Sequence, residues 1–481
     1  MSLSTSPSPR TAPSAAASAA PPRSTRPWWA LAVLGLAQFL VVLDASIVNI
    51  ALPSIGSALA LDTTALAWVV TAYVLPFGGL LLLGGRLADR FGHRRVFLVG
   101  VAGFAAASLL AGLSPAGGVL LAARALQGGF AALLAPASLA LLTQLFPDGA
   151  ARGKALGVWG AIAGMGSAAG VLLGGVLTAS FGWPSVFFVN VPVGALVLAV
   201  VPRLVKRDRL AAPGRMDTAG AILATLGLGA GVAALSEGGS LGWNHPLVIG
   251  LAVAALVLLG GFVLVERRSA HPLLPFSFFR NRDAAAGDLV MLFVGGSTVA
   301  LFFALSVYLQ EVLGMDALAA GLSQLPLAVA LILVAGVVPT LVRKLGLRPT
   351  LAGALVLLAL AVTWFALAGR TGLVTGFFLP SVVIGAALGA SFVTTTQLAV
   401  RGVAASESGL AGGLVNTAQQ VGGALGLAAL GGLAAARSAA LTAAGSPAAD
   451  ATAGGFQLVF LGVAVLAAAG AVIVVTVRRR R

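Results

Sequence analysis

Cysteine is absent from the 481 residues. No disulfide, thiolate metal site or thiol nucleophile is therefore available. Charge is almost as scarce: Asp, Glu, Lys and Arg together make up 9% of the chain, against about 25% in an ordinary soluble domain. That shortage excludes both a typical soluble enzyme and a disordered protein. Only Lys154, Lys206 and Lys344 represent lysine, and none precedes Ser or Thr. The phosphate-binding pattern G-x-x-x-x-G-K-[ST] is therefore missing, which removes an ATP-driven pump unless a partner brings the ATPase. The three histidines, His93, His245 and His271, fall in predicted loops with no metal-ligand spacing among them.

What is present is apolar. Hydrophobic residues make up 59% of the chain, and the mean hydropathy is +1.03. A helix needs about 20 apolar residues to cross about 30 Å of hydrocarbon. Fourteen such runs can be read, at roughly 28–52, 64–84, 96–113, 118–145, 153–178, 185–202, 217–236, 246–265, 286–310, 317–341, 350–368, 376–400, 408–433 and 455–477. The first is too long for a signal-peptide core and has no clear cleavage site. The predicted class is an all-α integral membrane protein.

The net charge of +15 is read by side of the membrane and not as a nucleic-acid footprint, because cytoplasmic loops collect Lys and Arg. With the N-terminus placed in the cytoplasm, all 29 basic residues fall on inner segments except Arg370 and Arg437 outside and Arg124 within a run. Merging or omitting one run would invert every later loop and destroy the asymmetry. The expectation is a multi-pass plasma (inner) membrane protein with both termini cytoplasmic.

Residues 84–95 (GGRLADRFGHRR) and 338–349 (VPTLVRKLGLRP) resemble each other, pairing Leu87 with Leu341, Arg90 with Lys344, Gly92 with Gly346 and Arg94 with Arg348. Both follow a run that returns to the inner side. A parallel repeat of six helices accounts for this if runs 7 and 8 are an insertion. The predicted organisation is a disordered cytoplasmic tail (1–27), a six-helix bundle (28–203), two inserted helices with cytoplasmic linkers (204–285), a second six-helix bundle (286–477) and a basic tail (478–481). The plainer alternative is chance similarity between two basic loops.

An ordered series of short motifs runs along the chain. It comprises Leu43 to Pro53 in the first run; Trp68, Thr71, Tyr73 and Leu75 in the second; and Gly85 to Arg95 after it. Arg124, Gln127, Gly128, Pro136 and Ser138 follow in the fourth run, and Gly166, Gly170, Gly174 and Gly175 in the fifth. Phe188, Asn190, Pro192 and Gly194 mark the sixth, and Tyr308, Leu309, Gln310, Gly314, Gly321 and Pro326 the ninth and tenth. Together these resemble the major facilitator superfamily, specifically its fourteen-span drug:proton antiporter branch. The resemblance implies alternating access between two bundles, no cofactor and a proton gradient as the energy source. The chain departs from the family pattern at Val171, Phe130 and Arg343. Residues 317–341 contain no acidic residue, so the preference of some relatives for dicationic drugs is not carried over.

Asp44 sits mid-run with apolar Leu40, Val41, Ile47 and Val48 around it. An ionisable group at such depth is expensive and is a functional-site candidate. Arg124 is the only basic residue inside a run. At 1.5 Å per residue the two lie about 12 and 9 Å from the outer ends of their helices, so they can pair directly or through water. Loss of solvent favours a neutral acid and a nearby guanidinium favours a carboxylate. A pair whose separation changes between two states can therefore take up and release a proton, with Gln127 one turn along in the same network. The competing reading is a permanent ion pair.

Asp89, with Arg90 and Arg94, is expected to form a cytoplasmic latch; a solvated charge cluster is the alternative. Gly166, Gly170 and Gly174 recur every four residues and make a groove for close helix approach, either for gating or for static packing. Tyr73, Trp159, Phe302, Phe303 and Tyr308 are candidates to line an apolar substrate cavity, although packing or lipid contact explains each as well. Asp288 and Glu311 fall near opposite ends of the ninth run, where interface solvation accounts for them.

The sequence thus points to a secondary exporter of hydrophobic or cationic small molecules. It is expected to act as a monomer, to bind no nucleic acid or metal, and not to be an enzyme. A dedicated exporter of one endogenous metabolite or self-made antibiotic is the nearest alternative. A membrane-embedded enzyme is more distant, because the outer loops lack clustered acids or His. A respiratory proton-pumping subunit would need lysines inside the spans.

Overall fold

The computed structural model describes residues 27–146, 149–205, 218–269, 272–368, 373–403 and 408–477. The predicted tails lie outside these, apart from Pro27, which opens the first helix. The described chain is all helix and short turns. The long helices are α1 (Pro27–Leu59), α2 (Thr63–Phe91), α3 (His93–Gly112), α4 (Gly117–Leu145), α5 (Gly149–Phe181), α6 (Asn190–Leu204, preceded by the single turn Ser185–Phe188), α7 (Thr218–Leu241), α8 (Pro246–Arg268), α9 (Arg282–Val307), α10 (Ala317–Leu345), α11 (Leu347–Ala368), α12 (Leu379–Ala399), α13 (Ser408–Ala443) and α14 (Ala448–Thr476). Thirteen spans are long and apolar enough to cross a bilayer, and α5 adds the shorter apolar stretch Met165–Phe181. Fourteen spans result, as two six-helix bundles with an inserted pair.

Several helices run past the predicted bounds because membrane helices tolerate interior proline. α1 continues through Pro53 to Leu59. Helix starts follow side-chain capping: Asp62 accepts from Ala65 N at 2.8 Å, Asn281 from Asp283 N at 3.1 Å and Asp316 from Ala319 N at 2.7 Å. Two histidines also belong to helix ends, His93 as the first residue of α3 and His245 as the N-cap of α8. His271 lies outside the described residues.

The loop repeat is structural. Gly92 and Gly346 each join two helices at φ +92° and +91°, values that favour glycine. Two residues on, Arg94 donates to Pro202 O at the end of α6, 3.1 Å away, and Arg348 donates to Val477 O at the end of α14. The same guanidinium therefore ties the same helix end in each half. These arginines lie at one end of the molecule, called the basic end below.

α7 packs against α8 and against both α2 and α13. The inserted pair therefore sits beside the α2–α13 seam. α8 buries little beyond Val248, Ala255 and Glu266, as expected of a helix facing lipid. The second seam is α5 against α10.

Candidate functional site: a buried Asp–Arg network and the closed far end

Arg124 and Gln127 lie one turn apart on α4, so their side chains share a face. That face meets Asp44 of α1, Ser108 of α3 and Asn190 at the start of α6. All five residues are 0–1% exposed. Arg124 Nη1 reaches Asp44 Oδ2 at 2.5 Å and Gln127 Oε1 at 2.9 Å, while its Nε donates to Val69 O at 3.0 Å. Asp44 Oδ1 accepts from Gln127 Nε2 at 3.0 Å and from Asn190 Nδ2 at 2.8 Å. Ser108 Oγ accepts from Gln127 Nε2 at 2.7 Å and donates to Phe104 O at 2.8 Å.

Tyr73 covers this cluster. Arg124 Cζ stands 4.4 Å from the Tyr73 ring centre and 5.8 Å from that of Phe187, within cation–π range. The Tyr73 hydroxyl donates to Val41 O at 3.4 Å. The carboxylate is thus charge-compensated and accepts from three side chains. That arrangement offsets the desolvation of both ions, which an isolated buried pair does not.

Asp44, Arg124 and Gln127 were expected together and stand together. Asn190 and Ser108 were not assigned to the site from sequence; Asn190 stood out as part of the sixth-run motif, and Ser108 only as a polar residue inside an apolar run. Tyr73, expected at a substrate cavity, stacks on the arginine. Phe302, Phe303 and Tyr308 pack with Tyr73 in the main core, and Trp159 in a separate cluster. Trp159 packs beside Leu31, Leu142 and Phe146. Phe302 lies against the main core, and Phe303 faces Phe456. Tyr308 joins Phe365 and Phe460 in an edge-on cluster and borders a recess that also includes Gln457 and Asp450.

At the basic end Asp89 meets His93 Nε2 at 3.1 Å, and His93 Nδ1 meets Gln144 Nε2 at 3.1 Å. Asp89 is 66% exposed. Arg90 lies over its neighbour Phe91, and Arg94 holds α6 as described. Asp89 therefore meets His93, a residue that the sequence places in a loop, and Arg94 meets the end of α6.

The glycine stripe of α5 faces α1, inside one bundle. A Cβ on Gly170 would lie 2.6 Å from Ser46 Cβ, one on Gly174 2.9 Å from Ile47 O, and one on Gly166 3.1 Å from Phe39 O. The seam between bundles uses the next positions round the helix. A Cβ on Gly175 would lie 2.7 Å from Ala317 O, and one on Gly321 2.7 Å from Val171 O. These residues sit at the end opposite the basic one.

A second contact closes that same end. Pro53 has no N–H, so the Asn49 carbonyl loses its helical donor. Ser306 Oγ of α9 donates to Asn49 O, and Gln310 Nε2 donates to Ile50 O at 2.9 Å. Gln310 stands on a π turn, Tyr308–Val312, that continues α9. Such turns aim side chains that an α-helix would place elsewhere. The two bundles are therefore locked together at the far end.

Two packed six-helix bundles around such seams define a membrane transporter. Over residues 34–427 the sequence matches the Major Facilitator Superfamily, and the chain belongs to that family. It is 43% identical over 410 residues to the puromycin resistance protein of Streptomyces alboniger, covering 84% of this chain and 81% of that one. It is 41% identical to the cephamycin export protein of Amycolatopsis lactamdurans, covering 83% and 84%, and 36% identical to the tetracenomycin C resistance and export protein of Streptomyces glaucescens, covering 86% and 77%. The fold matches a crystal structure of an auto-inhibited peptide transporter of the POT family with a TM-score of 0.68 at 17% identity, covering 94% of this chain and 98% of the other.

Proposed function

We propose that the chain is a proton-coupled exporter of hydrophobic or cationic small molecules, antibiotics among them, working as a single chain in the cell membrane with its basic end in the cytoplasm. The observation that carries the proposal is the network around Asp44 and Arg124. An acid this deep is a functional-site candidate by default, a carboxyl group can carry a proton, and its charge is balanced by one residue on another helix.

The bundles meet at the far end in the conformation described, which suits a state that exchanges with the cytoplasm. Asp44 is here a carboxylate held by Arg124. When the far end opens, α1 shifts against α4 within the N-terminal bundle and the pair separates. Asp44 then takes a proton from outside. On return Arg124 displaces that proton toward the cytoplasm while substrate is carried outward. One charge crossing 100 mV releases about 2.3 kcal/mol, enough for a gradient of roughly fiftyfold. Asp89, His93 and Arg94, which already tie α2, α3 and α6 within the N-terminal bundle, offer the basic end a surface to close on, and Gly175 and Gly321 form the surface that parts at the far end.

A second reading, a dedicated exporter of one antibiotic made by the host cell, is favoured by the relatives named above, each called after a single compound. Purified chain in sealed vesicles, with puromycin and ethidium as alternative probes, tests both readings. Multidrug antiport predicts uphill movement of both probes, abolished by a protonophore. Asp44→Asn should keep downhill exchange and lose the uphill transport that its proton drives. Uphill accumulation undiminished in that variant would end the assignment of a proton to Asp44. Movement of puromycin alone would favour the dedicated exporter.

A further inference from the structure

The structure holds a second deep carboxylate that the Asp44 network does not reach. Asp288 lies on α9 only 8% exposed, and both its oxygens lack a hydrogen-bond partner among the described residues. It is six residues past Arg282, so about 9 Å along the helix from its start. Solvation at the helix end, the expectation from sequence, does not account for it.

Its neighbours explain why. Gly287 packs so closely on Ala399 of α12 that a Cβ would overlap that backbone, and Leu292 packs the same way on Gly422 of α13. Ala284 clusters with Ala411 and Leu414 of α13, and Met291 with Leu398 of α12, Val415 of α13 and Ala471 of α14. Asp288 is therefore enclosed by an apolar layer.

Among the described residues no cation stands in that layer. α12 has no charged residue, α13 has only Arg437 toward its far end, and α14 has only Asp450 in its first turn at the far end. On α1, which also touches α9, Asp44 is taken by Arg124. The basic groups nearest along the chain, Arg280 and Arg282, are exposed, and at the helix mouth Arg348 pairs with Asp283 at 2.5 Å, while Arg401 Nε lies 3.8 Å from the same carboxylate. An ionised, unpartnered carboxylate in such a layer is strongly disfavoured, whereas a neutral carboxylic acid is tolerated.

We propose that Asp288 is a second proton carrier, loaded in this conformation and placed in the C-terminal bundle apart from the Asp44 pair. The inference rests on the proton-antiport reading. It adds one proton per cycle, which Asp288 takes up where the far end opens and gives up on the basic side when α9 moves against α12 and α13. The two acids then alternate: Asp44 is emptied by its arginine while Asp288, with no arginine, still holds its proton until the basic end hydrates it.

Two measurements on the full-length chain test this. Infrared spectra of the purified protein should show a buried carboxylic acid carbonyl band that Asp288→Asn removes and Asp44→Asn leaves. In sealed vesicles with a one-unit pH difference and ethidium as probe, losing one proton per cycle should lower the steady accumulation ratio about tenfold. Asp288→Asn should do this while ethidium counterflow, which needs no gradient, continues at the wild-type rate, and Asp288→Glu should restore the ratio. An unchanged ratio, an unchanged infrared spectrum, or loss of counterflow in Asp288→Asn would overturn the proposal, the last by making the residue structural. Wild-type transport that ignores a protonophore would instead overturn proton antiport itself, and the infrared band would still report whether Asp288 carries a proton.

Discussion

Asp44 and Arg124 are each nearly useless without the other. Breaking a buried pair by deleting one member strands a charge and costs about 3–5 kcal/mol. Arg124→Leu should therefore destabilise the purified protein by about that much, and the double variant Asp44→Asn/Arg124→Leu should recover most of the loss, measured by unfolding in detergent. Strict additivity of the two single changes would mean that the pair does not interact. Asn190→Ala removes one bond to a charged acceptor, so a smaller loss of about 1.5–3 kcal/mol is expected in the same assay. The difference between these residues also marks what the sequence could reveal. A charge inside an apolar run is rare enough to announce itself, so Asp44, Arg124 and the one-turn neighbour Gln127 could be read directly. Asn190 and Ser108 are neutral, common in membrane helices, and 146 and 82 residues from their bonding partners Asp44 and Asn190. Only the fold brings them together. Asp288 was visible as an acid, but its burial was not, because run boundaries do not say which face of a helix meets protein.

At the level of single helices, proline and glycine decide which surfaces lock. Pro53 frees a carbonyl on α1, and the π turn after α9 turns Gln310 toward the next one. That contact is one hydrogen bond of about 0.5–1.5 kcal/mol, so Gln310→Ala should shift the balance between closed and open far ends by about two- to tenfold. The absence of cysteine makes this measurable. Spin labels on Ser57→Cys at the end of α1 and on Leu313→Cys after the π turn, both exposed positions at the far end of different bundles, report the separation there. The share of short distances should fall when Gln310→Ala is added. An unchanged distance distribution would remove Gln310 from the closure. The helices themselves were legible because an apolar run of the right length has few other uses. The facing of the glycine stripe was not: a four-residue period shows that something packs closely, and only the structure shows that it is α1 of the same bundle.

For the whole molecule, the charge pattern and the internal repeat support each other. Each half uses a left-handed glycine and an arginine to tie a helix end, Arg94 to Pro202 and Arg348 to Val477, so both anchoring points lie at the same end of the fold. Arginines there favour the cytoplasmic side because basic loops are retained during insertion. If the basic end faces the cytoplasm, the α7–α8 turn faces outward and the α10–α11 joint inward. Ser240 and Leu345 are exposed at these two places, so each can be replaced by cysteine without disturbing the core. In intact cells a membrane-impermeant thiol reagent should label Ser240→Cys, while Leu345→Cys should react only after the cells are permeabilised. The reverse pattern would place the closed end of this conformation in the cytoplasm. The network around Asp44 would then be poised to receive protons from the wrong side for export, and the cycle would have to run as uptake.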